Sequence, residues 1–276
     1  MTSPAEHPEH PGPAKPVHRT ELELPDGRAL GIHDTGGTGD VVLWHGGTPN
    51  TGEPPLPWRE TDARWIGVDR PGYGRSSRVP GRRIADVAAD VRAVLDHLGV
   101  ATCRTVGHSG GGAHALACAA LLPDRVTSAL SISGLAPFTG ADWFEGMGPH
   151  SRASLGRATA GRRAKEQFEA AGGSGGVDFT DEDRETLDGP WGWFGTVVAE
   201  AGGAGSGGLV DDDVAHVSPW GFDPASITVP VTLVHGEADR VVPVAHARRL
   251  AELIPGADLV TIPGAGHLSV LVEISR

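Results

Sequence analysis

The sequence contains few cysteines and no long apolar run, and each shortage excludes a class of protein. Only two cysteines occur among the 276 residues. Both, Cys103 and Cys118, lie in apolar segments, which is typical of small buried side chains and not of a disulfide framework. No stretch approaches the roughly 20 apolar residues of a membrane-spanning helix. A chain of this length can bury about 70–75% of its unfolded surface, so it needs neither a disulfide nor a metal ion to fold.

Positive charge is also scarce. Lysine and arginine together number 23 against 35 aspartates and glutamates, which gives a formal net charge of −12. An acidic protein is a poor partner for a nucleic-acid backbone or an anionic membrane surface. No His, Cys or Asp spacing resembles a zinc site, and no glycine-rich segment ends in Gly-Lys-Ser or Gly-Lys-Thr. We therefore expect no metal, no cofactor, no nucleic acid and no membrane as partners.

Residues 1–16 lack the apolar core of a signal peptide and contain five prolines with interspersed histidine and glutamate. This composition is typical of a disordered tail. The absence of a recognisable targeting segment favours a cytoplasmic location.

The remainder of the chain alternates short apolar runs with helical patterns. Six runs predict strands, at 40–44, 65–68, 103–106, 126–132, 231–234 and 259–262. Continuous apolar runs of this kind are typical of strands that are buried on both faces of a parallel sheet. Helical spacing predicts helices at 84–98, 113–122 and 244–253. Alternating strands and helices predict an α/β fold with a mostly parallel central sheet flanked by helices.

The alternation is interrupted between residues 135 and 222. Two glycine clusters, 172–176 and 202–208, lie in this block, and the strand–helix pattern resumes near Pro230. We therefore predict one α/β domain, formed by residues 17–134 and 223–276, into which residues 135–222 are inserted.

The strongest local motif is Gly107-His108-Ser109-Gly110-Gly111, a G-x-S-x-G pentapeptide. An apolar strand precedes it and an alanine-rich helix follows, which is the strand–turn–helix context of a nucleophile elbow. A serine in this sharp turn leaves no room for a β-carbon two residues before or after it, and Gly107 and Gly111 meet that requirement. The motif predicts Ser109 as a nucleophile, with His108 beside it lining a substrate pocket.

Catalysis at a serine requires donors for the negative oxygen that develops on the substrate. The backbone N–H of Gly110 follows the nucleophile at the start of a helix, where the helix dipole favours negative charge. A second donor is expected in the loop after an early strand, and His45-Gly46-Gly47 occupies that place. We predict Gly47 and Gly110 as the two oxyanion donors.

A serine nucleophile also requires a base and an acid that orients the base. Two late segments, each directly after a predicted strand, supply them in the chain order Ser, Asp, His. Asp239 is the predicted acid, with Glu237 as its competitor, and His267 is the predicted base. Catalytic residues of open α/β sheets gather at the carboxyl ends of the strands, where both segments are expected to lie.

These motifs resemble those of the α/β-hydrolase superfamily. The matching segments are 45–49, 69–76, 107–112, 235–243 and 264–268. The chain is similar to small bacterial hydrolases related to proline iminopeptidases, cofactor-free haloperoxidases and ester or lactone hydrolases. The resemblance implies a catalytic triad of Ser109, Asp239 and His267 under a cap formed by residues 135–222. It argues against epoxide and haloalkane hydrolysis, because those relatives carry aspartate in place of Ser109. Only nine residues follow His267, so the final helix of the family is expected to be short here.

The predicted cap contains ten of the fourteen aromatic residues of the chain, and its fourteen acidic and six basic residues give a net charge of −8. Five of these aromatics are predicted to lie near the substrate pocket, with a role in the core of the cap as an equal alternative: Trp143, Phe144, Trp191, Trp193 and Phe194. The acidic runs 181–183 and 211–213 are predicted to be solvated helix starts or loops, where acids suit the helix dipole.

The sequence therefore predicts a serine-dependent hydrolase, esterase-like, that cleaves an ester, lactone or amide bond of a small molecule through an acyl-enzyme intermediate. Four alternatives stay open. The first is a proline iminopeptidase-like aminopeptidase, because such enzymes hold the free amine of the substrate with cap carboxylates. The second is C–C bond hydrolysis, lyase or perhydrolase chemistry on the same scaffold. The third is a non-catalytic receptor, which usually has a broken triad, and the fourth is a scaffold that binds a protein partner through the acidic cap.

Overall fold

The computed structural model describes residues 14–275, so residues 1–13 of the predicted tail lie outside the described part of the chain. Near the end of that predicted tail, Lys15 donates hydrogen bonds to the backbone carbonyls of Arg59 and Ala63. The strands are β1 His18–Glu23, β2 Ala29–Asp34, β3 Val41–His45, β4 Arg64–Val68, β5 Cys103–His108, β6 Val126–Ile132, β7 Val231–Gly236 and β8 Asp258–Ile262.

Within residues 14–275 these eight strands form one sheet in the order β1-β2-β4-β3-β5-β6-β7-β8. β1 and β2 form an antiparallel hairpin, and β2 also pairs antiparallel with β4. All the remaining neighbours are parallel. The predicted α/β class with a mostly parallel sheet is confirmed.

Helices flank the sheet and also fill the long segment between β6 and β7. Their bounds are α1 Val87–His97, α2 Gly110–Leu121, α3 Pro149–Thr159, α4 Arg162–Ala170, α5 Asp181–Leu187, α6 Trp193–Gly202, α7 Gly207–His216, α8 Ala245–Leu253 and α9 Ser269–Glu273. Helices α3 to α7 all lie between β6 and β7. No helix in the described part of the chain is long and apolar enough to cross a membrane.

Both faces of the sheet are covered, as β3 shows. Leu43 belongs to an apolar cluster that includes Val91 of α1, whereas its neighbours Val42 and Trp44 belong to a second cluster that includes Val270 of α9. Because successive side chains of a strand point to opposite faces, this arrangement buries β3 on both sides. The continuous apolar run in the sequence has this physical cause.

The parallel strands bring four loops to one edge of the sheet. β3 ends at His45, β5 at His108, β7 at Gly236 and β8 at Ile262. Because these strands run in the same direction, the residues that follow them emerge at the same edge. That edge is where the predicted catalytic residues lie.

Candidate active site

Ser109 lies in the sharp turn between β5 and α2. Its backbone has φ 56° and ψ −127°, a conformation that costs a non-glycine residue about 1–3 kcal/mol. The neighbouring glycines allow the turn, because a β-carbon on Gly107 would collide with the backbone of Gly111, and one on Gly111 would collide with the carbonyl of His45. The turn brings Ser109 into the lining of two adjoining cavities.

His267 and Asp239 form a buried pair near Ser109. Asp239 follows β7, His267 follows β8, and Nδ1 of His267 lies 2.7 Å from Oδ2 of Asp239. The other carboxylate oxygen of Asp239 accepts two backbone N–H groups, each at 2.9 Å. Glu237, the competing acid, is exposed and accepts a hydroxyl from β8 instead. Asp239 is therefore the acid that contacts His267.

Each member of this pair favours the charged form of the other. Burial opposes ionisation of Asp239, but attraction to His267 and hydrogen bonds from His235 and His267 outweigh it and hold the pKa of Asp239 well below its ordinary value. Burial also disfavours a charged His267, whereas the charge and hydrogen bond of Asp239, with the charge of Asp183, raise the pKa of His267 above 6.5. Asp239 is thus an anion near neutral pH, and it stabilises a positive charge on His267.

Two cavities adjoin at Ser109, which lines both. The larger, of about 450 Å³, is also lined by His267, His108 and Gly47, and we call it the apolar cavity. Its main apolar side chains are Phe179, Leu187, Phe194 and Leu268. The smaller, of about 250 Å³, is lined by Gly110. Its walls are partly apolar, with Leu135, Leu155 and Leu209 among them, and we call it the polar cavity for the polar side chains that distinguish it from its neighbour. Its main polar side chains are Ser151, Ser154, Glu169, Asp213 and His216.

His108 lines the apolar cavity beside His267. Its Nε2 lies 2.9 Å from the backbone carbonyl of His267, and the two ring centroids are 4.9 Å apart. Burial lowers the pKa of His108 to about 3, so the ring is neutral near pH 7 and donates to that carbonyl. His108 thus helps to hold the loop that carries His267.

Gly47 and Gly110, the two predicted oxyanion donors, flank Ser109. Gly47 lines the apolar cavity and Gly110 the polar one. A β-carbon on Gly47 would lie 3.3 Å from Cβ of Ser109, so this loop approaches the serine closely. Gly110 is the first residue of α2, and its N–H lies at the positive end of the helix dipole.

Arg70 anchors the loop that contains Gly47. Its buried guanidinium donates to the carbonyls of Gly46 and Gly47, both at 2.6 Å, and to Asp212 at 2.7 Å. The carbonyl of Gly46 and the N–H of Gly47 belong to one peptide unit, in which they point in opposite directions. Holding the Gly46 carbonyl therefore directs the Gly47 N–H away from Arg70. In the sequence, Arg70 stands out only as part of the family segment 69–76.

The acidic run 211–213 is buried, so the expectation of a solvated run was wrong. Its three carboxylates lie on α7 and are at most 5% exposed. Each has a basic partner: Asp211 pairs with Arg78 and Arg162, Asp212 with Arg70 and Arg82, and Asp213 with Lys165. Three of these partners, Arg70, Arg78 and Arg82, lie outside the segment between β6 and β7. No local sequence pattern could connect them to the acidic run.

The acidic run 181–183 has two exposed residues and one buried residue. α5 begins at Asp181, and the side chains of Asp181 and Glu182 are exposed as expected, but Asp183 is fully buried. Asp183 accepts the backbone N–H groups of His267, Leu268 and Ser269 at 3.0, 2.7 and 2.8 Å. It therefore positions the loop of His267 and caps α9. The sequence feature that distinguishes Asp183 from its two acidic neighbours is Thr180, three residues earlier, which forms a capping box with Asp183.

Trp143, Trp191 and Trp193 are not among the residues that line the two cavities at Ser109. Trp143 packs edge-on against Phe138 and Phe144. Trp191 and Trp193 belong to the apolar cluster that covers one face of β3. Large aromatic rings bury much apolar area, and here they stabilise the packing of the segment between β6 and β7. This placement replaces the expectation that they contact substrate.

Within residues 14–275, no group of three or more His, Cys, Asp or Glu side chains is arranged to hold a metal ion.

A family model described as the alpha/beta hydrolase fold matches residues 35–274. The chain belongs to this family. The family resemblance predicted from the sequence is confirmed.

Curated relatives include enzymes of several activities. A non-heme haloperoxidase from Rhodococcus erythropolis is 28% identical over 84% of this chain and 86% of its own length. A bifunctional esterase/perhydrolase from Acinetobacter calcoaceticus is 28% identical over 82% of this chain and 84% of its own length. A dihydrolipoyllysine-residue acetyltransferase component of an acetoin cleaving system from Pseudomonas putida is 35% identical over 44% of this chain. The match spans only 35% of that protein.

Solved structures share the fold. The enol-lactonase from Burkholderia xenovorans LB400 superimposes with a TM-score of 0.70 at 20% identity, over 92% of this chain and 95% of its own. At this identity the likeness shows the fold alone. Together with the family match, the esterase and haloperoxidase relatives support hydrolase activity.

Proposed function

We propose that the protein is a serine hydrolase that cleaves an ester or lactone bond of a small molecule through an acyl-enzyme intermediate. The observation that carries the proposal is the arrangement around Ser109. This residue has a strained backbone and shares a cavity with His267, whose Nδ1 lies 2.7 Å from the buried carboxylate of Asp239. An activated serine requires a base in this position and an acid that orients it.

In the proposed reaction, Ser109 attacks the acyl carbon while its hydroxyl proton passes to Nε2 of His267. The carbonyl oxygen becomes negative and accepts the N–H groups of Gly47 and Gly110, each worth about 2.7–4 kcal/mol of barrier. Asp239 stays ionised and stabilises the imidazolium. His267 returns the proton to the leaving oxygen, and the alcohol departs. Water then gives a proton to His267 as it attacks the acyl carbon. His267 passes this proton to Oγ of Ser109 as the bond from the acyl carbon to Oγ breaks, which releases the acid and restores the free serine.

The segment 135–222 acts in this proposal as a cap over the site. It supplies Phe179, Leu187 and Phe194 to the apolar cavity and Asp213 and His216 to the polar one. Substrate bound at Ser109 would therefore contact both the cap and the sheet edge. The apolar lining suits an uncharged organic substrate.

The carboxylates of the cap favour an ester substrate over an aminoacyl one. An aminopeptidase of the predicted kind needs a carboxylate that is available to a substrate ammonium group. Asp213 and Glu169 line the polar cavity, but each lies 2.6 Å from the ammonium of Lys165. A substrate amine would have to compete with this internal cation. We therefore propose ester or lactone hydrolysis in preference to aminopeptidase activity.

Steady-state hydrolysis of p-nitrophenyl butanoate tests the proposal. The Ser109→Ala variant should lower kcat/KM by about 10⁴-fold or more, because the nucleophile and base act as a unit. Ser226→Ala removes an exposed hydroxyl that donates to the carbonyl of Asp223 and lines neither cavity at Ser109. It serves as the control, with kcat/KM expected to stay at the wild-type value. Near-normal turnover by folded Ser109→Ala protein would overturn the proposal.

A further inference from the structure

His216, the last residue of α7, is an unpartnered imidazole in the wall of the polar cavity. It is only 1% exposed, and neither Nδ1 nor Nε2 has a hydrogen-bond partner among the described residues. Buried polar atoms are nearly always hydrogen-bonded. A histidine with two free nitrogens at a cavity wall therefore indicates a group that binds a ligand.

The ring lies next to the residue that follows the nucleophile. A β-carbon built on Gly110 would lie 2.8 Å from Nε2 of His216. Gly110 is the proposed oxyanion donor, so an acyl group attached to Ser109 begins beside this residue. His216 is therefore placed to reach polar atoms on the first carbons of that acyl group.

The charged groups of the polar cavity largely compensate one another. The fully buried ammonium of Lys165 lies 2.6 Å from both Asp213 and Glu169 and 2.5 Å from Ser154. One cation between two carboxylates leaves a small negative excess, which disfavours an anionic substrate group.

His216 is neutral under ordinary conditions. Burial is the main cause that lowers its pKa to about 4, and it prevails over the opposing charge of Asp212. A neutral imidazole offers one N–H donor and one nitrogen acceptor. A hydroxyl group both donates and accepts, so it complements this ring better than a carboxylate or a purely apolar group.

The position of His267 shows which part of the substrate faces His216. His267 lines the apolar cavity and is not part of the lining of the polar one. As the group that protonates the leaving oxygen, it requires the alcohol part of the ester on its own side. The acyl part then extends past Gly110 into the polar cavity.

We propose that the polar cavity is the acyl-binding site and that His216 selects acyl groups that carry a hydroxyl close to the carbonyl. The preferred substrates are esters of 2- or 3-hydroxy acids with an apolar alcohol. This inference rests on the proposed serine hydrolase function and adds the class of substrate to it.

The test compares benzyl esters that differ only in the acyl hydroxyl: benzyl butanoate, benzyl 2-hydroxybutanoate and benzyl 3-hydroxybutanoate. Wild-type protein should hydrolyse at least one hydroxylated ester with a kcat/KM about tenfold or more above that of benzyl butanoate, since a site built to bind a hydroxyl discriminates against the analogue that lacks it. The ratio of the two kcat/KM values is the readout.

Two variants assign the ratio to His216. His216→Leu removes both nitrogens and should bring the ratio close to one while benzyl butanoate is still hydrolysed. His216→Gln keeps a donor and an acceptor near the position of Nε2 and should restore part of the ratio. Phe194→Leu, in the apolar cavity, is the matched control, because it changes the alcohol side and should leave the hydroxyl ratio as in wild type.

The outcomes separate the two proposals. If wild type hydrolyses benzyl butanoate with the same kcat/KM as both hydroxylated esters, the hydroxyacyl inference is wrong and the serine hydrolase proposal stands. If His216→Leu lowers kcat/KM equally for all three esters, His216 serves the reaction and not selection, and the inference is again wrong. If wild type hydrolyses none of the three esters and Ser109 does not react with a fluorophosphonate, both proposals are overturned. If Ser109 reacts but none of the esters is hydrolysed, only the hydroxyacyl inference is overturned.

Discussion

At the scale of single residues, the turn at Ser109 depends on two glycines that face each other across it. A β-carbon on Gly107 would meet the backbone of Gly111, and one on Gly111 would meet the carbonyls of His45 and Gly46. Backbone atoms cannot move aside as the end of a long side chain can. The turn with a positive φ at Ser109 therefore requires that both positions lack a β-carbon.

A single methyl group tests this requirement. Gly111→Ala should destabilise the protein by about 1–3 kcal/mol or more, as overpacking does, and should lower activity because the turn must shift. Gly156→Ala is the matched control. It lies in α3 with nothing within 4 Å of a new β-carbon, and it should be neutral or stabilising by up to about 1 kcal/mol. Equal urea midpoints for the two variants would contradict the account.

The raised pKa of His267 predicts the pH dependence of catalysis. His267 acts as a base only when it is unprotonated, so kcat/KM should rise with pH and reach half its maximum at the pKa of this residue in the free enzyme. Asp239 and Asp183 together raise that pKa above 6.5 against the effect of burial. The midpoint of the acid limb should therefore lie above pH 6.5.

Removing the charge of Asp239 should move this midpoint. In Asp239→Asn, the carboxylate no longer opposes the effect of burial on the pKa of His267, so the midpoint of the acid limb should fall. The maximal kcat/KM should also drop by about 10⁴-fold. Glu237→Gln changes the exposed neighbouring acid and should leave the profile unchanged. A wild-type midpoint at or below pH 6.5 would contradict the proposed role of the pair.

At the scale of elements, α7 fastens the segment between β6 and β7 to the sheet. Asp212 on this helix is fully buried and contacts Arg70, Arg82 and Tyr73, all of which follow β4. Arg70 in turn holds the carbonyls of Gly46 and Gly47. One carboxylate thus connects the packing of the inserted segment to the loop of the proposed oxyanion donor.

Loss of this carboxylate should be costly. Asp212→Asn leaves two buried arginines with uncompensated charge, and breaking a buried pair of this kind typically costs about 3–5 kcal/mol. Asp124→Asn breaks an ion pair with Arg92 between exposed side chains, and exposed pairs contribute little. The urea midpoint should fall strongly in the first variant and hardly at all in the second. Similar midpoints would contradict the connecting role of Asp212.

At the scale of the whole molecule, the sequence predicts those features that depend on neighbouring residues in the chain. The continuous apolar runs predict the parallel sheet, because a strand covered on both faces needs apolar side chains at every position. The pentapeptide around Ser109 predicts the turn, because its glycines and its serine lie within five residues. Asp239 and His267 each follow a strand, and because the two strands are parallel, both residues lie at the same edge of the sheet.

Features that depend on distant partners could not be predicted in this way. Asp183 looks solvated in the sequence because its partners, the N–H groups after β8, follow it only much later in the chain. The three buried carboxylates of α7 find arginines and a lysine in other elements. His216 carried no local motif at all. Its place beside Gly110 comes from the packing of α7 against the start of α2.

Covalent labelling is the first measurement to make, because it reports whether Ser109 is a nucleophile activated by His267. Wild-type protein should take up one fluorophosphonate group, which intact-mass measurement and peptide mapping should place on Ser109. The His267→Ala variant should remain unlabelled under the same conditions. A label on another residue, or no label on folded wild-type protein, would contradict the account.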